Sequence, residues 1–244
     1  KVVSEANECW DKAEGHYHLS ALQNDVADFN KQNSIYKKGI AVMPICFGIS
    51  FTNTLMNQAR SLVHVYTDGS VVISTGAIEM GQGVNTKMLQ VAAQTFGISA
   101  DKIKINSTNT YRIANTSPSA ASATADLNGK ATQLACIEIL DRIKTVAAQD
   151  LNSSPEKITI KDGVVYSDGI KTEMDWAKLV LTTYNKRVSL SAHAHYSTPD
   201  IYFDKSKEKG HPFAYHVYGT SITVVTLDCL RGIYTFDAVK LVHD

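Results

Sequence analysis

Residues 79–97 read EMGQGVNTKMLQVAAQTFG, a stretch in which two glycines and a glutamine lie directly before a helical pattern. The apolar face of that pattern consists of Val84, Met88, Leu89, Val91, Ala92 and Phe96. Gly97 stands where a helix commonly ends in a left-handed residue. The stretch therefore predicts an amphipathic helix preceded by a glycine turn, which would bring backbone N–H groups close to any ligand bound there.

A second stretch with the same organisation, NTSPSAASATADLNGK, runs from Asn115 to Lys130. A strand-like segment over 102–108 precedes it, and a long apolar helix is expected over about 121–148. The polar side chains that crowd this linker are Asn115, Thr116, Ser117, Ser119, Ser122 and Thr124. Because a helix N-terminus carries unpaired N–H groups and about half a positive charge, either stretch could bind an anion such as phosphate.

A simpler alternative explains both stretches without a ligand. Serine and threonine could only cap the second helix, and Gly81 and Gly83 could only form a turn. Gln82 weighs against this alternative, because a turn does not need an amide side chain. We expect the two loops to converge on one cleft if they share a ligand.

The rest of the chain alternates between helix-like and strand-like patterns, which predicts an α+β fold of mixed sheets with packed helices. Further helices are expected over 3–14, 19–32 and 173–184, and further strands over 61–66, 70–75, 187–197, 213–229 and 232–242. An Asp68-Gly69 hairpin should join the first two of these strands, and a small meander should follow the long helix. The run over 39–51 is almost wholly apolar, which predicts a strand covered on both faces and interrupted or bulged at Pro44.

Composition narrows the classes of function. The chain has 24 basic and 24 acidic residues, so nothing in its charge favours nucleic acid or a membrane surface as a partner. Its four cysteines are scattered without a CxxC pair, as expected of reduced thiols in the cytoplasm. Two histidine pairs, His16 with His18 and His193 with His195, could bind a metal, but neither has a carboxylate partner at ligand spacing. Both ends read as cuts, so residues 1–244 are expected to be a partial domain truncated at both ends.

Several segments resemble a known family at constant order and spacing. KKGIAVMPICFGISF, HVYTDGSVVIS, EMGQGVNTKMLQVAAQTFGI and NTSPSAASATADLNGKA resemble successive segments of the molybdenum-binding subunit in the xanthine dehydrogenase and aldehyde oxidase family. The resemblance implies a fragment of the second molybdopterin-binding domain. It also implies an oxidoreductase that hydroxylates a purine or related N-heterocycle with water-derived oxygen, in the catabolism of purines.

The resemblance assigns roles to residues in both stretches. Gly81, Gln82, Gly83, Ala121, Ser122 and Thr124 would bind the molybdopterin, and Phe51, Thr52 and Ala120 would contact the substrate. Gln82 would bond to the cofactor near the metal, and the Ala121 backbone would approach the metal without being its ligand. Thr124 stands where the most similar family members carry serine, a change that keeps the hydroxyl group.

The resemblance also implies parts that these residues do not supply. No catalytic residue is expected in this chain, because the family's glutamate base lies beyond Asp244, and the chain alone should be inactive. The 2Fe-2S clusters and FAD are expected in other modules, which would be partners together with the remaining molybdenum-subunit domains in a homo- or hetero-oligomer. Two alternatives stay open: an aldehyde oxidase-type hydroxylase, and a non-catalytic anion-binding or assembly module.

Overall fold

The computed structural model describes residues 5–244, which form two units of mixed helix and sheet. The first unit contains residues 5–49 and Tyr215–Asp244, and the second contains Ser50–Ala214. The helices are α1 (Ala6–Tyr17), α2 (Leu19–Gln32), α3 (Val84–Phe96), α4 (Thr124–Asp150) and α5 (Trp176–Asn185). The strands are β1 (Tyr36–Ile49), β2 (Gln58–Val65), β3 (Val71–Thr75), β4 (Ile103–Ile105), β5 (Ile158–Lys161), β6 (Val164–Ser167), β7 (Ile170–Asp175), β8 (Ser191–Ser197), β9 (Tyr202–Asp204), β10 (Lys209–His211), β11 (Tyr215–Asp228) and β12 (Ile233–His243). The predicted α+β class is confirmed.

The first unit is an antiparallel sheet in the order β1-β11-β12, with α1 and α2 on one face. Ala13, Leu19 and Ile222 form the buried centre between helices and sheet. Residues 3 and 4 of the first predicted helix lie outside the described residues. None of the helices in the described residues combines the length and the apolar character that a membrane span requires.

The strand predicted over 39–51 exists as β1, but two of its predicted properties are wrong. It runs without a register shift through Pro44, which pairs with Thr220, and it is not covered on both faces, because Met43 is 63% and Phe47 is 47% exposed. Pairing continues through Pro44 because β1 lies at the edge of its sheet, where the missing N–H group of proline is tolerated. Met43 and Phe47 are exposed because α1 and α2 cover only one face of the sheet.

The second unit is built on a four-stranded sheet in the order β4-β3-β2-β8. The predicted hairpin between β2 and β3 is confirmed, with the turn at Asp68 and Gly69. β3 and β4 pair in parallel, and α3 forms the connection between them. The predicted meander is confirmed as the three-stranded sheet β5-β6-β7.

The core of the second unit lies between this sheet and the helices. Phe96 of α3 and Trp176 of α5 meet with ring centroids 5.3 Å apart, and both are buried. The buried face of α4 follows a strict spacing of four residues through Leu127, Ala131, Ala135, Ile139 and Ile143. Helical spacing in the sequence predicts a buried stripe of Leu127, Ala131, Leu134, Ile137, Leu140 and Ile143. This prediction is partly wrong, since Ile137 is 37% exposed.

Candidate functional site

The site begins at the carboxyl ends of two neighbouring parallel strands. β3 is followed by residues 76–83, which we call the glycine loop, and β4 by residues 106–123, which we call the serine loop. Parallel strands direct their carboxyl ends toward the same edge of a sheet, where ligands of such sheets commonly bind. Each loop then leads into a helix, α3 or α4, so the two stretches singled out in the sequence lie side by side.

Two sets of hydrogen bonds join the loops, and a third joins the end of β3 to α4. The backbone N–H of Ile78 donates to the Ser119 hydroxyl at 2.8 Å. The Thr108 hydroxyl lies 2.9 Å from the carbonyl oxygens of both Thr75 and Ala77. Asn128 accepts from the Thr75 hydroxyl at 2.7 Å, and its amide nitrogen donates to the Thr124 carbonyl at 3.0 Å. These bonds fix the end of β3, both loops and the first turn of α4 relative to one another.

A cleft of about 310 Å³ lies between the loops. Its lining residues are Met80, Gln82, Val84, Lys87, Ser119, Ala120, Ser122, Thr124 and Ala125. The structure thus brings four predicted site residues, Gln82, Ala120, Ser122 and Thr124, onto one surface. Gly81, Gly83 and Ala121 adjoin these lining residues in the chain, although they do not themselves line the cleft.

The Gln82 side chain is already hydrogen-bonded within its own loop. Its Oε1 accepts from the Met80 N–H at 2.6 Å, and its Nε2 donates to the Ile78 carbonyl at 2.8 Å. The residue itself is exposed, so the amide can reach the cleft by exchanging these bonds for bonds to a ligand. The argument that a turn does not need this amide is therefore wrong, because both of its polar atoms stabilise the loop. A bond from Gln82 to a ligand stays a prediction.

The start of α3 is occupied by a carboxylate that the sequence argument did not use. Glu79 Oε1 accepts from the N–H groups of Gly81 and Gly83, both at 2.9 Å, and Oε2 accepts from the Asn85 N–H at 3.0 Å. These backbone donors, with Asn85 first, hold the pKa of Glu79 below its ordinary value. The N-terminus of α3 is therefore satisfied internally and is not open to a second anion.

The start of α4 differs from that of α3. Within the described residues no side chain caps it, and Ala121 and Ser122 both have φ of 54°. Two consecutive non-glycine residues in the left-handed region are strained, and such strain is concentrated at functional sites. The expectation that serine or threonine only caps this helix is not met, because the residue at the cap position is Ala123.

Phe51 and Thr52 do not line this cleft. The Phe51 backbone makes two hydrogen bonds to buried Asn57, at 2.8 Å from its N–H and 2.9 Å to its carbonyl. Phe51 is half-buried and Thr52 is exposed. Their predicted contact with a substrate stays a prediction.

Three lining or flanking residues were missed or left without a role by sequence reasoning. Lys87 is an exposed cation in the first turn of α3, a place where the helix dipole disfavours positive charge, and this mismatch could have marked it. Ser119 links the two loops. The buried hydroxyl of Thr116, in the serine loop, has no hydrogen-bond partner in the described residues.

A larger and more open pocket, of about 780 Å³, lies elsewhere in the second unit. Its lining includes Tyr66, Tyr184 and Arg187, beside the end of β2 and the segment after α5. One lining residue, Arg187, also has a left-handed backbone with φ of 61°, but the pocket is not bordered by the two loops that follow β3 and β4. We therefore take the smaller cleft, where hydroxyl, amide and ammonium groups converge, as the candidate site.

Comparison with known proteins decides the family. A molybdopterin cofactor-binding domain matches residues 12–244. The chain belongs to this family. Xanthine dehydrogenase/oxidase from Gallus gallus is 42% identical over 236 residues, which cover 97% of this chain and 16% of that protein. Xanthine dehydrogenase from Oryza sativa subsp. japonica is 40% identical over 96% of this chain and 16% of its own length.

Other relatives extend the same comparison. Aldehyde oxidase 2 from Macaca fascicularis is 38% identical over 98% of this chain and 16% of that protein. Among solved structures, quinoline 2-oxidoreductase from Pseudomonas putida 86 superposes with a TM-score of 0.74 at 21% identity, covering 97% of this chain and 30% of that one. The predicted resemblance to the xanthine dehydrogenase and aldehyde oxidase family is confirmed, and the chain spans about a sixth of the length of these curated relatives.

The residues around the cleft fit a pterin of this family. A Cβ atom on Gly81 or Gly83 would meet nothing within 4 Å, so both glycines leave open space beside Gln82. Hydroxyl groups of Ser119, Ser122 and Thr124 offer donors and acceptors on the opposite side. Polar groups of this kind match the heteroatoms of a pterin ring and its phosphate.

Proposed function

We propose that this chain is part of a molybdenum hydroxylase, similar to xanthine dehydrogenase, that oxidises a purine or related N-heterocycle. The observation that carries the proposal is the single cleft between the glycine loop and the serine loop, in a chain of the molybdopterin cofactor-binding family. When bound, the molybdenum cofactor supplies the two-electron oxidation and the water-derived oxygen.

The residues of this chain hold and orient the cofactor. Gln82 offers its amide on one side of the cleft, beside the backbone of Gly81 and Gly83. Ser122 and Thr124 would offer hydroxyl groups for the pterin or its phosphate on the other side, and the Ala121 backbone would approach the metal without being its ligand. The N-terminus of α4, which no side chain caps, and the Lys87 ammonium favour a ligand that carries negative charge, and the Asp126 carboxylate in the first turn of α4 offsets part of this preference.

Substrate contacts form the second part of the proposal. Phe51, Thr52 and Ala120 contact the heterocycle, with the Phe51 ring edge-on to it and the Thr52 hydroxyl hydrogen-bonded to it. Aromatic contacts of this kind contribute roughly 0.5–1.5 kcal/mol beyond burial. The Phe51 N–H donates to Asn57 Oδ1 and Asn57 Nδ2 donates to the Phe51 carbonyl, and these two bonds fix this part of the chain. The general base lies in a part of the enzyme beyond Asp244.

The remaining modules are partners of this chain. Other molybdenum-subunit domains complete the pocket, and 2Fe-2S and FAD modules carry electrons away, in a homo- or hetero-oligomer in the cytoplasm. The length of the curated relatives, of which this chain covers 16%, supports such additional parts. The chain by itself is therefore expected to be inactive.

An aldehyde oxidase-type activity is the second candidate. The observation in its favour is the 38% identity to an aldehyde oxidase, close to the 42% identity to a xanthine dehydrogenase/oxidase. A non-catalytic anion-binding module is less favoured, because Glu79 already occupies the N-terminus of α3, one of the two helix starts that border the cleft.

The test uses the longer protein that contains this chain. Its molybdenum content per polypeptide is measured, together with the oxidation of hypoxanthine and of an aromatic aldehyde. We expect Gln82→Ala to lower molybdenum retention roughly 10-fold or more, as loss of a supporting hydrogen bond does in metal sites. Gln90→Ala is the matched control, because Gln90 is an exposed glutamine of α3 that does not line the cleft.

The outcomes separate the candidates. Preferred turnover of hypoxanthine supports the first function, and preferred turnover of the aldehyde supports the second. Absence of molybdenum from the unsubstituted protein would contradict both. Oxidation of hypoxanthine by the purified 244-residue chain alone would contradict the expected division of the site between this chain and its partners.

A further inference from the structure

The carboxylate of Glu79 binds the backbone of the glycine loop at Gly81 and Gly83. It accepts three backbone hydrogen bonds, from Gly81, Gly83 and Asn85, at 2.9, 2.9 and 3.0 Å. One carboxylate thus hydrogen-bonds to the loop backbone on both sides of Gln82 and to the first turn of α3. Charge-assisted hydrogen bonds of this kind are roughly twice as strong as neutral ones.

Packing does not hold these glycines in place. Gly81 has φ of 100° and Gly83 has φ of 75°, and a Cβ atom on either would have no heavy atom within 4 Å. Glycine also gains more freedom in the unfolded or open loop than other residues. The described contacts that restrain the backbone at these two positions are therefore the bonds to Glu79, together with the start of α3.

We propose that Glu79 is a positioning residue, which holds the glycine loop in the conformation in which Gln82 lines the cleft. This inference rests on the proposed function of the cleft. Glu79 does not line the cleft, so it acts through the loop rather than by contact with the ligand. By filling the N-terminus of α3 with its own charge, it also directs an anionic ligand group away from that helix start and toward α4.

The chain offers a matched control for this role. Asp175 is the N-cap of α5, and its carboxylate accepts from the Lys178 N–H at 2.8 Å. Asp175→Ala and Glu79→Ala each remove a carboxylate that caps a helix, but only Glu79 is bonded to the glycine loop. A role limited to helix capping would make the two substitutions equivalent, whereas a positioning role would not.

The first measurement uses ¹⁵N-labelled protein of 244 residues. In Glu79→Ala we expect the largest amide shifts at Gly81, Gly83 and Asn85, and a shift of the Gln82 side-chain NH₂ signals. Asp175→Ala should leave these signals in place and move that of Lys178. Glu79→Gln keeps one acceptor oxygen and should give an intermediate shift. This variant also tests the inference if the alanine variant fails to fold. Unmoved Gln82 side-chain signals in both Glu79 variants would overturn the inference.

The second measurement uses the longer protein. Molybdenum per polypeptide should fall at least fivefold in Glu79→Ala, recover partly in Glu79→Gln, and stay unchanged in Asp175→Ala. Full retention of molybdenum in Glu79→Ala would overturn the positioning role while leaving the proposed function intact. If the unsubstituted protein retained no molybdenum, the proposed function would fail, and the side-chain signals of Gln82 would still decide whether Glu79 positions this residue.

Discussion

The Oδ1 atom of Asn128 accepts a hydrogen bond of 2.7 Å from the Thr75 hydroxyl, which joins the end of β3 to the first turn of α4 across 53 residues of sequence. Both side chains are buried, with Asn128 4% and Thr75 1% exposed. The same amide donates to the Thr124 carbonyl. A single asparagine thus ties together the two strand-loop-helix segments that border the cleft.

Replacement of Asn128 by alanine should destabilise the second unit. The change leaves the buried Thr75 hydroxyl without its acceptor, and an unsatisfied buried group costs about 1–3 kcal/mol. Chemical denaturation followed by circular dichroism measures the free energy of unfolding. Asp141→Ala, at an exposed position of the same helix, should change it by less than about 0.5 kcal/mol. Equal effects of the two substitutions would contradict this account.

Gly97→Ala should destabilise the chain more than Gly169→Ala does. Both glycines lie in the left-handed region, with φ of 69° and 78°, so each substitution incurs a conformational cost of about 1–2 kcal/mol. A Cβ on Gly97 would also overlap the backbone oxygen of Ile160 and lie 2.7 Å from its carbonyl carbon, whereas one on Gly169 meets open space. The difference should be a further 1–3 kcal/mol or so, measured by denaturation. Closely similar losses would show that β5 can move away from Gly97.

Gly76→Ala should disturb the serine loop. A Cβ at residue 76 would lie 2.7 Å from Cβ of Thr116 and would also overlap its hydroxyl oxygen. We expect a loss of about 1–3 kcal/mol in stability, because overpacking forces the neighbouring side chain from its place. In a Thr116→Gly background the same change should be nearly neutral, which a double-mutant cycle would detect as coupling of about 1 kcal/mol or more. Additive effects would contradict a direct contact between these residues.

The four cysteines should separate into two classes. Cys46 and Cys229 are exposed, whereas Cys9 and Cys136 are buried. Burial raises the pKa of the Cys136 thiol to about 12, and the thiolate is the reactive form. At pH 8 a disulfide reagent should therefore modify two thiols of the native chain quickly and the other two only after denaturation. Rapid modification of all four would contradict the burial of Cys9 and Cys136.

Local patterns predicted the elements with one clear face. The buried residues of α3 are Val84, Met88, Ala92 and Phe96, four of the six predicted from spacing. The hairpin at Asp68 and Gly69 was predictable because its turn chemistry is local. The glycines, serines and helical patterns around the two loops are also local signals, which is why the sequence predicts where the loops lie.

Other features depend on distant residues and could not be predicted. β4 is only three residues long, so its parallel pairing with β3 leaves no periodic signal in the sequence. The buried face of α4 was predicted only in part, because apolar and small residues occur around the whole helix. Spacing therefore placed Ile137 in the buried stripe and left out Ala135, which is buried. Glu79 was not predicted as a cap, because a capping side chain usually comes from the residue directly before a helix. The Glu79 carboxylate instead comes from before the glycine turn, and its donors include the N–H groups of Gly81 and Gly83.

The pairing of β3 with β4 also makes the cleft local in sequence. Both strands, both loops and the first turns of both helices lie between Val71 and Asn128. A chimaera that exchanges this one contiguous segment between relatives would transfer every group bordering the cleft at once. Such an exchange would therefore separate the contribution of the cleft from that of Phe51 and Thr52, the proposed substrate contacts that lie outside this segment.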